Sequence, residues 1–291
     1  MAITADMVKK LREQTGAGMM DCKKALTETD GDYEKAVTLL REKGIAVAAK
    51  REARSATEGL IGSYVSPDNK TGVLVETNCE TTFVAKTDEF VQLAKDLAQF
   101  VATADTGGTV ESLLDKPFKG GQTVRDRVNE LMGKIGEKLP ISRFVKIDGD
   151  GVVGSYIHTG DQIGVLVKLA GVAASDDAIS LAKDLAMHIS WSNPDYLKRE
   201  DIQQEALDKE REVHRQWAIK EGKPENIIER IVEGRMKEFY SRTVLVEQPF
   251  IKDEDQAIQD LVSSVAKKVG SEISIAGYVR YRVGETAGDA E

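Results

Sequence analysis

The sequence repeats itself over its central part, and this repeat limits the possible folds more than any other feature. GLIGSYV at residues 59–65 returns as GVVGSYI at 151–157, and GVLV at 72–75 returns unchanged at 164–167, both at an offset of 92. Each copy holds two runs rich in β-branched residues on either side of a turn-forming stretch, which is typical of a β-hairpin. We therefore expect the same small structural unit to occur twice.

Two further matches extend each hairpin by helices and a strand. The run LAKDLA at 93–98 recurs at 181–186, and KIGEKLPISRFV at 134–145 corresponds to KVGSEISIAGYV at 268–279. Each copy is therefore predicted to consist of a hairpin, two helices and a third strand, which together form a three-stranded antiparallel sheet with helices on one face. The predicted fold class is α+β, with this unit duplicated.

The spacing between the matches changes along the chain and shows where the two copies differ. The offset falls from 92 at the hairpins to 88 at LAKDLA, so copy one carries four extra residues before this helix. It then rises to 134, so copy two contains a long insertion at residues 190–244. Two charged helical segments of the insertion are joined by GKP at 222–224, where Gly suits a helix end and Pro a helix start. We expect an antiparallel helical hairpin of coiled-coil type, with narrow apolar stripes formed by Ile202, Ala206, Val213 and Trp217 and by Ile227, Ile231 and Phe239.

The first 50 residues show helical periodicity that is interrupted by TGAG at 15–18 and DGD at 30–32. These breaks predict three helices in a small module. All the patterns together predict five parts of the chain. They are an N-terminal three-helix module at 1–54, copy one of the core at 55–147, copy two at 148–189 and 245–284, the inserted hairpin at 190–244, and a disordered tail at 285–291.

Composition and motif content argue against several classes of function. The net charge of −9 gives no general attraction to nucleic-acid phosphates, so we expect no direct nucleic-acid partner. The sequence has no apolar run of about 18 residues, so we expect no membrane contact. Neither its two cysteines nor its three histidines have metal-ligand spacing, and it lacks a phosphate-binding glycine loop. We therefore expect no metal, no cofactor and a cytoplasmic location.

The stretch NCETTFVAKT at 78–87 leaves three interpretations open. It is a reactive-thiol site, an ordinary connection between a strand and a helix, or a projecting turn that contacts a partner through Phe83. The stretch loosely resembles the TFVCPT run of peroxiredoxins, but Ala85 occupies the position of their attacking cysteine. Because nothing in the sequence indicates a lowered thiol pKa, a buried structural Cys79 is favoured over a nucleophile.

Phe83 lies among the four extra residues of copy one, so packing of the repeated unit does not require it. On the residues alone, two roles are equally open. Phe83 staples the following helix, with Thr81 or Thr82 as the helix N-cap, or it is exposed and contacts a partner. His158 ends a hairpin strand just before the turn at 159–161 and is either a solvated turn residue or a contact. Without further information, a thiol enzyme and a protein-interaction scaffold both stay open.

Several long motifs, in the same order, resemble the bacterial elongation factor Ts family over nearly the whole chain. They are LREQTGAGMMDCKKAL at 11–26, NCETTFVAK at 78–86, GSYIH at 154–158, IGVLV at 163–167, AMH at 186–188, VEGRMK at 232–237 and QPF at 248–250. The resemblance implies a UBA-like N-terminal module and a guanine-nucleotide exchange factor that acts by binding, without covalent chemistry. The implied partner is elongation factor Tu, in its GDP-bound and nucleotide-free forms.

The resemblance also implies which residues contact the partner. Phe83 would insert between helices of the partner near its magnesium site. The implied contacts are Thr81, Thr82, Phe83, Val84, Ile135, Gly136 and His158 in this region, and Arg12, Met19, Met20 and Lys23 against the nucleotide-binding domain. Thr82 departs from the family pattern, which usually has Asp at this position, and the additional C-terminal helix of some members is not expected. A homodimer or a 2:2 complex through the core or the helical hairpin stays open.

Overall fold

The computed structural model describes residues 3–15, 17–51 and 54–285, with the backbone alone at 45–51. Its N-terminal part forms the three helices predicted from the breaks in periodicity. They are α1 (Ala5–Thr15), α2 (Met19–Glu28) and α3 (Tyr33–Arg51). Their apolar faces meet in a small core around Leu11, Cys22 and Leu26, which are fully buried.

Copy one forms the predicted three-stranded antiparallel sheet with helices on one face. Its elements are β1 (Glu58–Val65), β2 (Gly72–Cys79), α4 (Thr82–Ala85), α5 (Asp88–Thr103), α6 (Val110–Leu114), α7 (Val124–Ile135) and β3 (Ile141–Ile147), with the strands in the order β1-β2-β3. Every residue of β2 is buried, because the helices cover one face of this central strand and the second sheet covers the other. The helices contribute apolar residues at helical spacing, such as Phe90, Leu93 and Leu97 of α5.

Copy two repeats this plan around its insertion. Its elements are β4 (Val152–Ile157), β5 (Ile163–Ala170), α8 (Asp176–Ser192), α9 (Gln204–Lys220), α10 (Glu225–Thr243), β6 (Pro249–Phe250), β7 (Asp253–Ala257), α11 (Ile258–Val269) and β8 (Ser274–Arg282), with β4-β5-β8 as the main sheet. The α+β fold with a duplicated unit is therefore confirmed. The short elements α4, α6, β6 and β7 were not predicted, because elements of a few residues carry too little periodicity.

The two sheets pack face to face, and their contacts are reciprocal. The Ile61 N–H donates a hydrogen bond to the Asp161 carbonyl at 2.7 Å. The equivalent bond of the other copy runs from the Val153 N–H to the Asn69 carbonyl at 2.6 Å. Each bond becomes the other when the repeat offset of 92 is applied, so the two copies are related by an approximate twofold axis.

The position of this axis is marked by a residue that contacts its own counterpart. The Ser63 hydroxyl donates to the hydroxyl of Ser155, which is its equivalent in the repeat, at 3.2 Å. Close packing beside the axis requires glycine in both copies. A Cβ added at Gly72 or at Gly164 would lie 2.5 Å from a side chain of the opposite sheet.

The insertion forms the predicted antiparallel helical hairpin, α9 and α10, but the inward face differs from part of the predicted stripes. Its buried residues include Ala218, Ile228, Val232, Met236 and Tyr240. Packing is confirmed for Ile202, Ala206, Ile231 and Phe239. The prediction is wrong for Val213, Trp217 and Ile227, which are exposed. Apolar stripes this narrow on charged helices define the inward face only to within about one residue. In α10 the residues that pack inward form the i, i+4 series that starts at Ile228.

A buried carboxylate on β2 fastens the end of copy two to copy one. Glu76 is fully buried and accepts hydrogen bonds from Arg143 Nε at 2.7 Å and from the Gly284 N–H at 2.8 Å. Because Gly284 follows β8, this contact ties the last described residues to the first sheet. Glu285, which the predicted tail includes, forms an ion pair with Arg143 at 3.4 Å. The remainder of the predicted tail, 286–291, lies outside the described residues.

Candidate partner-binding site

Phe83 is presented to solvent by a short helical turn. The Thr81 hydroxyl accepts a hydrogen bond from the Val84 N–H at 3.4 Å and so acts as the N-cap of α4. Val84 is buried, whereas Phe83 is 84% exposed. A side chain at this exposure has little contact with its own protein, so the alternative in which Phe83 staples the following helix is wrong. The alternative of an exposed contact is the one left for Phe83.

Thr82 is the first residue of α4 and is exposed. The cap belongs to Thr81, so the alternative in which Thr82 caps the helix is wrong. The Thr82 side chain forms no hydrogen bond with any residue that the structure describes. An exposed hydroxyl therefore stands where the family resemblance leads us to expect a carboxylate.

Two carboxylates fasten this turn to the end of α7. Glu137 accepts hydrogen bonds from the backbone N–H groups of Glu80 and Thr81, both at 3.0 Å, and from the Thr81 hydroxyl at 2.7 Å. In the opposite direction, the Glu80 carboxylate accepts a hydrogen bond from the Lys138 N–H at 2.8 Å. No sequence motif includes Glu137. The repeat does carry a signal for it, since the corresponding residue of copy two is Ser271.

The connection after α7 also carries two of the predicted contact residues. Gly136 ends the helix with a φ of 91°, a left-handed conformation that glycine adopts without strain. Ile135 is partly buried against the core of copy one. Because Glu137 follows directly and binds the segment before α4, Ile135 and Gly136 lie beside the Phe83 turn. The structure thus brings these predicted contacts into one region.

His158 lies in the turn between β4 and β5 and is exposed. Its Nδ1 atom is 3.3 Å from the Tyr156 hydroxyl. The same turn is fixed to copy one by the hydrogen bond from the Ile61 N–H to the Asp161 carbonyl, and α4 packs against the same strand, β1. His158 and the Phe83 turn therefore flank one strand, and a contact role for His158 stays a prediction.

Cys79 ends β2 and is fully buried. Burial, and to a smaller extent the negative charge of Glu137, raises the pKa of its thiol to about 12. The thiol donates a hydrogen bond to the Thr81 carbonyl at 3.1 Å. Because a thiol with this pKa is protonated at neutral pH, the interpretation as a reactive nucleophile is wrong. The prediction of a buried structural cysteine is confirmed.

The predicted contacts of the N-terminal module form a second group. Arg12 lies in the last turn of α1, and Met19, Met20 and Lys23 lie in the first turns of α2. All four are exposed, and Met20 is 72% exposed. Methionine side chains adapt to irregular surfaces, so two exposed methionines beside two cations make a surface suited to a protein partner.

Helix α7 supports both groups. It is crossed by α3 where Gly133 approaches Gly44, and a Cβ at Gly133 would lie 3.7 Å from the Gly44 Cα. Arg41 of α3 also forms an ion pair with Asp126 of α7. A cavity of about 460 Å³ lies between α7 and the turn that joins α1 to α2. The N-terminal module is thus fixed to the helix whose end holds the Phe83 turn.

Within residues 3–15, 17–51 and 54–285, no group of three or more His, Cys, Asp or Glu side chains is arranged to hold a metal ion. None of the helices in that part of the chain combines the length and the apolar character needed to cross a bilayer. The candidate site is defined by the exposed side chains of the Phe83 turn and of the first two helices.

Comparison with known proteins gives one consistent result. The sequence model of the family described as Elongation factor TS matches residues 80–285. The chain is similar to Elongation factor Ts of Clostridium botulinum (strain Alaska E43 / Type E3), with 47% identity over 284 residues that cover 97% of this chain and 93% of the relative. Elongation factor Ts of Clostridium novyi (strain NT) is 48% identical over 286 residues, and that of Clostridium perfringens (strain SM101 / Type A) is 49% identical over 284, with the same coverage of both chains. The chain belongs to the elongation factor Ts family.

Proposed function

We propose that this chain is a guanine-nucleotide exchange factor that binds elongation factor Tu and promotes the release of GDP and the entry of GTP. The observation that carries the proposal is the 84% exposed Phe83, held on a capped turn that copy two does not have. Membership of the elongation factor Ts family supports a role in translation elongation and nucleotide exchange. The chain acts in the cytoplasm by binding, with no covalent chemistry and no nucleic-acid or membrane partner.

An exchange factor has to bind the nucleotide-free form of its partner more tightly than the GDP-bound form. Because this coupling is reciprocal, the preference weakens GDP binding by the same factor. Each tenfold weakening requires about 1.4 kcal/mol of differential contact free energy. Phe83 supplies such a contact when it inserts between helices of elongation factor Tu near the magnesium and phosphate site, since a desolvated aromatic anchor concentrates interface free energy in one side chain.

The two groups of expected contact residues have different tasks in this proposal. The group on the N-terminal module holds the nucleotide-binding domain of the partner in either nucleotide state. Binding of this kind raises occupancy but shifts no equilibrium between the states. The group around Phe83 makes contacts that depend on the nucleotide state, and it therefore produces exchange. The first group is Arg12, Met19, Met20 and Lys23, and the second is Thr81, Thr82, Phe83, Val84, Ile135, Gly136 and His158.

Stopped-flow release of a fluorescent GDP analogue from elongation factor Tu tests this division. The wild-type chain should accelerate release, and Phe83→Ala should lower the maximal rate about tenfold or more. Met20→Ala should instead raise the chain concentration that gives the half-maximal rate. Trp217→Ala removes another exposed aromatic side chain, on the hairpin, and should change neither quantity.

Two results would contradict the proposal at different points. If the wild-type chain does not accelerate GDP release, the exchange function itself is wrong. If Phe83→Ala and Trp217→Ala behave alike while the wild type accelerates release, the function stands but Phe83 is not the inserting side chain.

A further inference from the structure

We propose that Glu137 is the positioning residue of the Phe83 turn, because it holds the connection before α4 in place and thereby fixes the direction in which Phe83 points. This inference rests on the proposed function, since the direction of an exposed side chain matters only when it meets a partner. Glu137 acts through Phe83 and has no contact of its own with the nucleotide.

The geometry of the cap shows how the carboxylate works. A threonine hydroxyl has one hydrogen to donate and lone pairs that accept. The hydrogen of the Thr81 hydroxyl is directed at Glu137 Oε1 at 2.7 Å, in a charge-assisted hydrogen bond. The lone pairs are then left for the Val84 N–H, which donates to the same hydroxyl at 3.4 Å. Glu137 therefore orients the hydroxyl that caps α4.

The second carboxylate oxygen fixes the backbone. Oε2 of Glu137 accepts the N–H groups of Glu80 and Thr81 together, so the chain cannot rotate between them without breaking a bond to a charged acceptor. The Glu80 side chain strengthens the same base, since it accepts from the Lys138 N–H and pairs with Arg54 at 3.2 Å. The base of the turn is held on both sides while Phe83 at its tip is exposed.

The repeat provides an internal comparison. Copy two has Ser271 at the position of Glu137, and it has no counterpart of α4. There the end of β5 approaches the connection after α11 directly, because a Cβ at Gly171 would lie 1.9 Å from the Glu272 carbonyl oxygen. In copy one the equivalent strand position is Cys79, whose side chain is incompatible with such an approach, and the Glu137 carboxylate binds the two residues that follow it. This carboxylate and the Phe83 turn therefore occur together in one copy.

Fixing the turn before binding has a defined effect on exchange. A turn that is already ordered loses less conformational freedom when Phe83 inserts. If the turn samples several directions, only a fraction of the bound chains have Phe83 correctly placed, and the inserted state is populated less. We therefore expect loss of Glu137 to lower the maximal rate of GDP release. The half-saturating concentration, which depends on the N-terminal module as well, should change less.

The first test compares Glu137→Ala with Ser271→Ala in the full-length chain, with a fluorescent GDP analogue bound to elongation factor Tu. Glu137→Ala should lower the maximal release rate about tenfold, with a change of less than about threefold in the half-saturating concentration. Ser271→Ala removes the equivalent residue of copy two and should change neither. Glu137→Gln keeps an acceptor oxygen but loses the charge, so it should restore part of the rate.

The decisive comparison places Glu137→Ala in the Phe83→Ala background. If Glu137 acts only through Phe83, the double variant should release GDP at the rate of Phe83→Ala alone. A further tenfold loss would overturn the proposal, because it would mean a separate contact or a general loss of stability. If Phe83→Ala does not slow release in the first place, it is the proposed role of Phe83 that fails.

A measurement on the chain without its partner distinguishes loss of the fixed turn from loss of a separate partner contact. Amide hydrogen exchange should become faster at Glu80, Thr81 and Val84 in Glu137→Ala, since these N–H groups lose their acceptor or its orientation. Protection in β2 and α5 should stay at the wild-type level. Unchanged exchange at the three amides would overturn the positioning role whatever the GDP assay shows.

Discussion

Thr81 and Thr82 are adjacent threonines with different tasks. Thr81 caps α4 and is held by Glu137, whereas Thr82 is exposed at the first position of the helix. Replacement of Thr82 by Asp should therefore leave the fold unchanged, and a carboxylate is accepted at a helix N-terminus. On the proposed insertion of Phe83 near the magnesium of elongation factor Tu, a carboxylate at residue 82 would compete for this ion. We expect Thr82→Asp to speed GDP release roughly threefold or more.

Thermal unfolding and stopped-flow release measure the two parts of this prediction separately. Thr81→Asp is the matched control, because the same change one residue earlier places a second carboxylate beside Glu137. That variant should be less stable than the wild type. A slower release by Thr82→Asp with an unchanged unfolding midpoint would contradict the expected competition for magnesium.

His188 is a buried histidine whose two ring nitrogens both have partners. Nε2 lies 2.8 Å from Gln248 Oε1, and the Ile251 N–H donates to Nδ1 at 3.3 Å. The Gln248 amide nitrogen donates to the Arg242 carbonyl, so its oxygen faces the ring. The neutral imidazole with its proton on Nε2 satisfies both contacts. His188 is therefore a core residue whose polar atoms are satisfied.

The neutral state of His188 makes stability depend on pH. Burial lowers its pKa, and the hydrogen bond to Gln248 opposes this only in part. As pH falls below about 6.5, the unfolded chain binds a proton that the folded chain does not. The contribution of neutral His188 to the free energy of unfolding is therefore fully present above this pH. It decreases as pH falls toward the lower pKa of the folded state. Urea unfolding should give a smaller free energy at about pH 5.5 than at about pH 7.5.

His188→Gln keeps a donor for Gln248 but cannot titrate. The variant should be less stable at the higher pH, yet lose less stability between the two pH values than the wild type does. An equal loss in both proteins would assign the pH dependence to other groups.

The crossing of α3 and α7 sets the position of the N-terminal module, and it depends on two glycines. A Cβ at Gly133 would be in ordinary van der Waals contact with Gly44, at 3.7 Å. Gly133→Ala should therefore raise the free energy of unfolding by about 0.5 kcal/mol through helix propensity. Gly133→Leu should push the helices apart and raise the half-saturating concentration for GDP release, because the module loses its fixed position.

Gly234→Ala is the matched control for helix propensity, since a Cβ there meets no atom within 4 Å. It should stabilise the chain without any effect on exchange. Urea unfolding and the GDP assay together check the set. If Gly133→Leu and Gly133→Ala have the same free energy of unfolding and the same half-saturating concentration, the close approach of the two helices does not position the module.

The helices and strands that could be predicted from the sequence are those marked by apolar periodicity or by the internal repeat. The strands and the long helices, including α5 and α8, carry apolar residues at regular spacing over many residues, and two copies doubled the signal. The inward face of the hairpin was only partly predicted, because α9 and α10 have few apolar residues and Trp217 fits a stripe that does not pack. Glu137 could not be found by periodicity, since its role depends on a tertiary hydrogen bond over 57 positions of sequence. The site residues around Phe83 came from the family resemblance, because a contact with a partner leaves no periodic pattern in the sequence.

The buried carboxylate of Glu76 joins the two copies of the repeated unit. Its equivalent in copy two is Lys168, so this clamp breaks the approximate twofold symmetry. Glu76→Ala leaves Arg143 Nε, the Asn78 amide and the Gly284 N–H without this acceptor and should lower the free energy of unfolding by about 3 kcal/mol. Lys168→Ala loses a hydrogen bond to the Asp148 carbonyl and should cost less than about 1 kcal/mol.

Urea unfolding of the two variants tests the clamp. The transition should stay cooperative in both, because the apolar residues between the sheets still hold the copies together. Equal destabilisation by Glu76→Ala and Lys168→Ala would mean that the buried ion pair contributes nothing particular to the joint between the copies.

The face-to-face packing of the two sheets also predicts the oligomeric state. Ile61 and Leu74 of one sheet pack against Val153 and Leu166 of the other, so the apolar faces that could pair two chains already cover each other within one chain. We expect light scattering to give the mass of a single chain, 31.8 kDa, and a 1:1 complex with elongation factor Tu. A mass of twice this value would contradict the prediction. In that case Trp217→Glu would test the hairpin, because Trp217 is its exposed aromatic residue. A return of this variant to the single-chain mass would place the contact between the two chains on the hairpin.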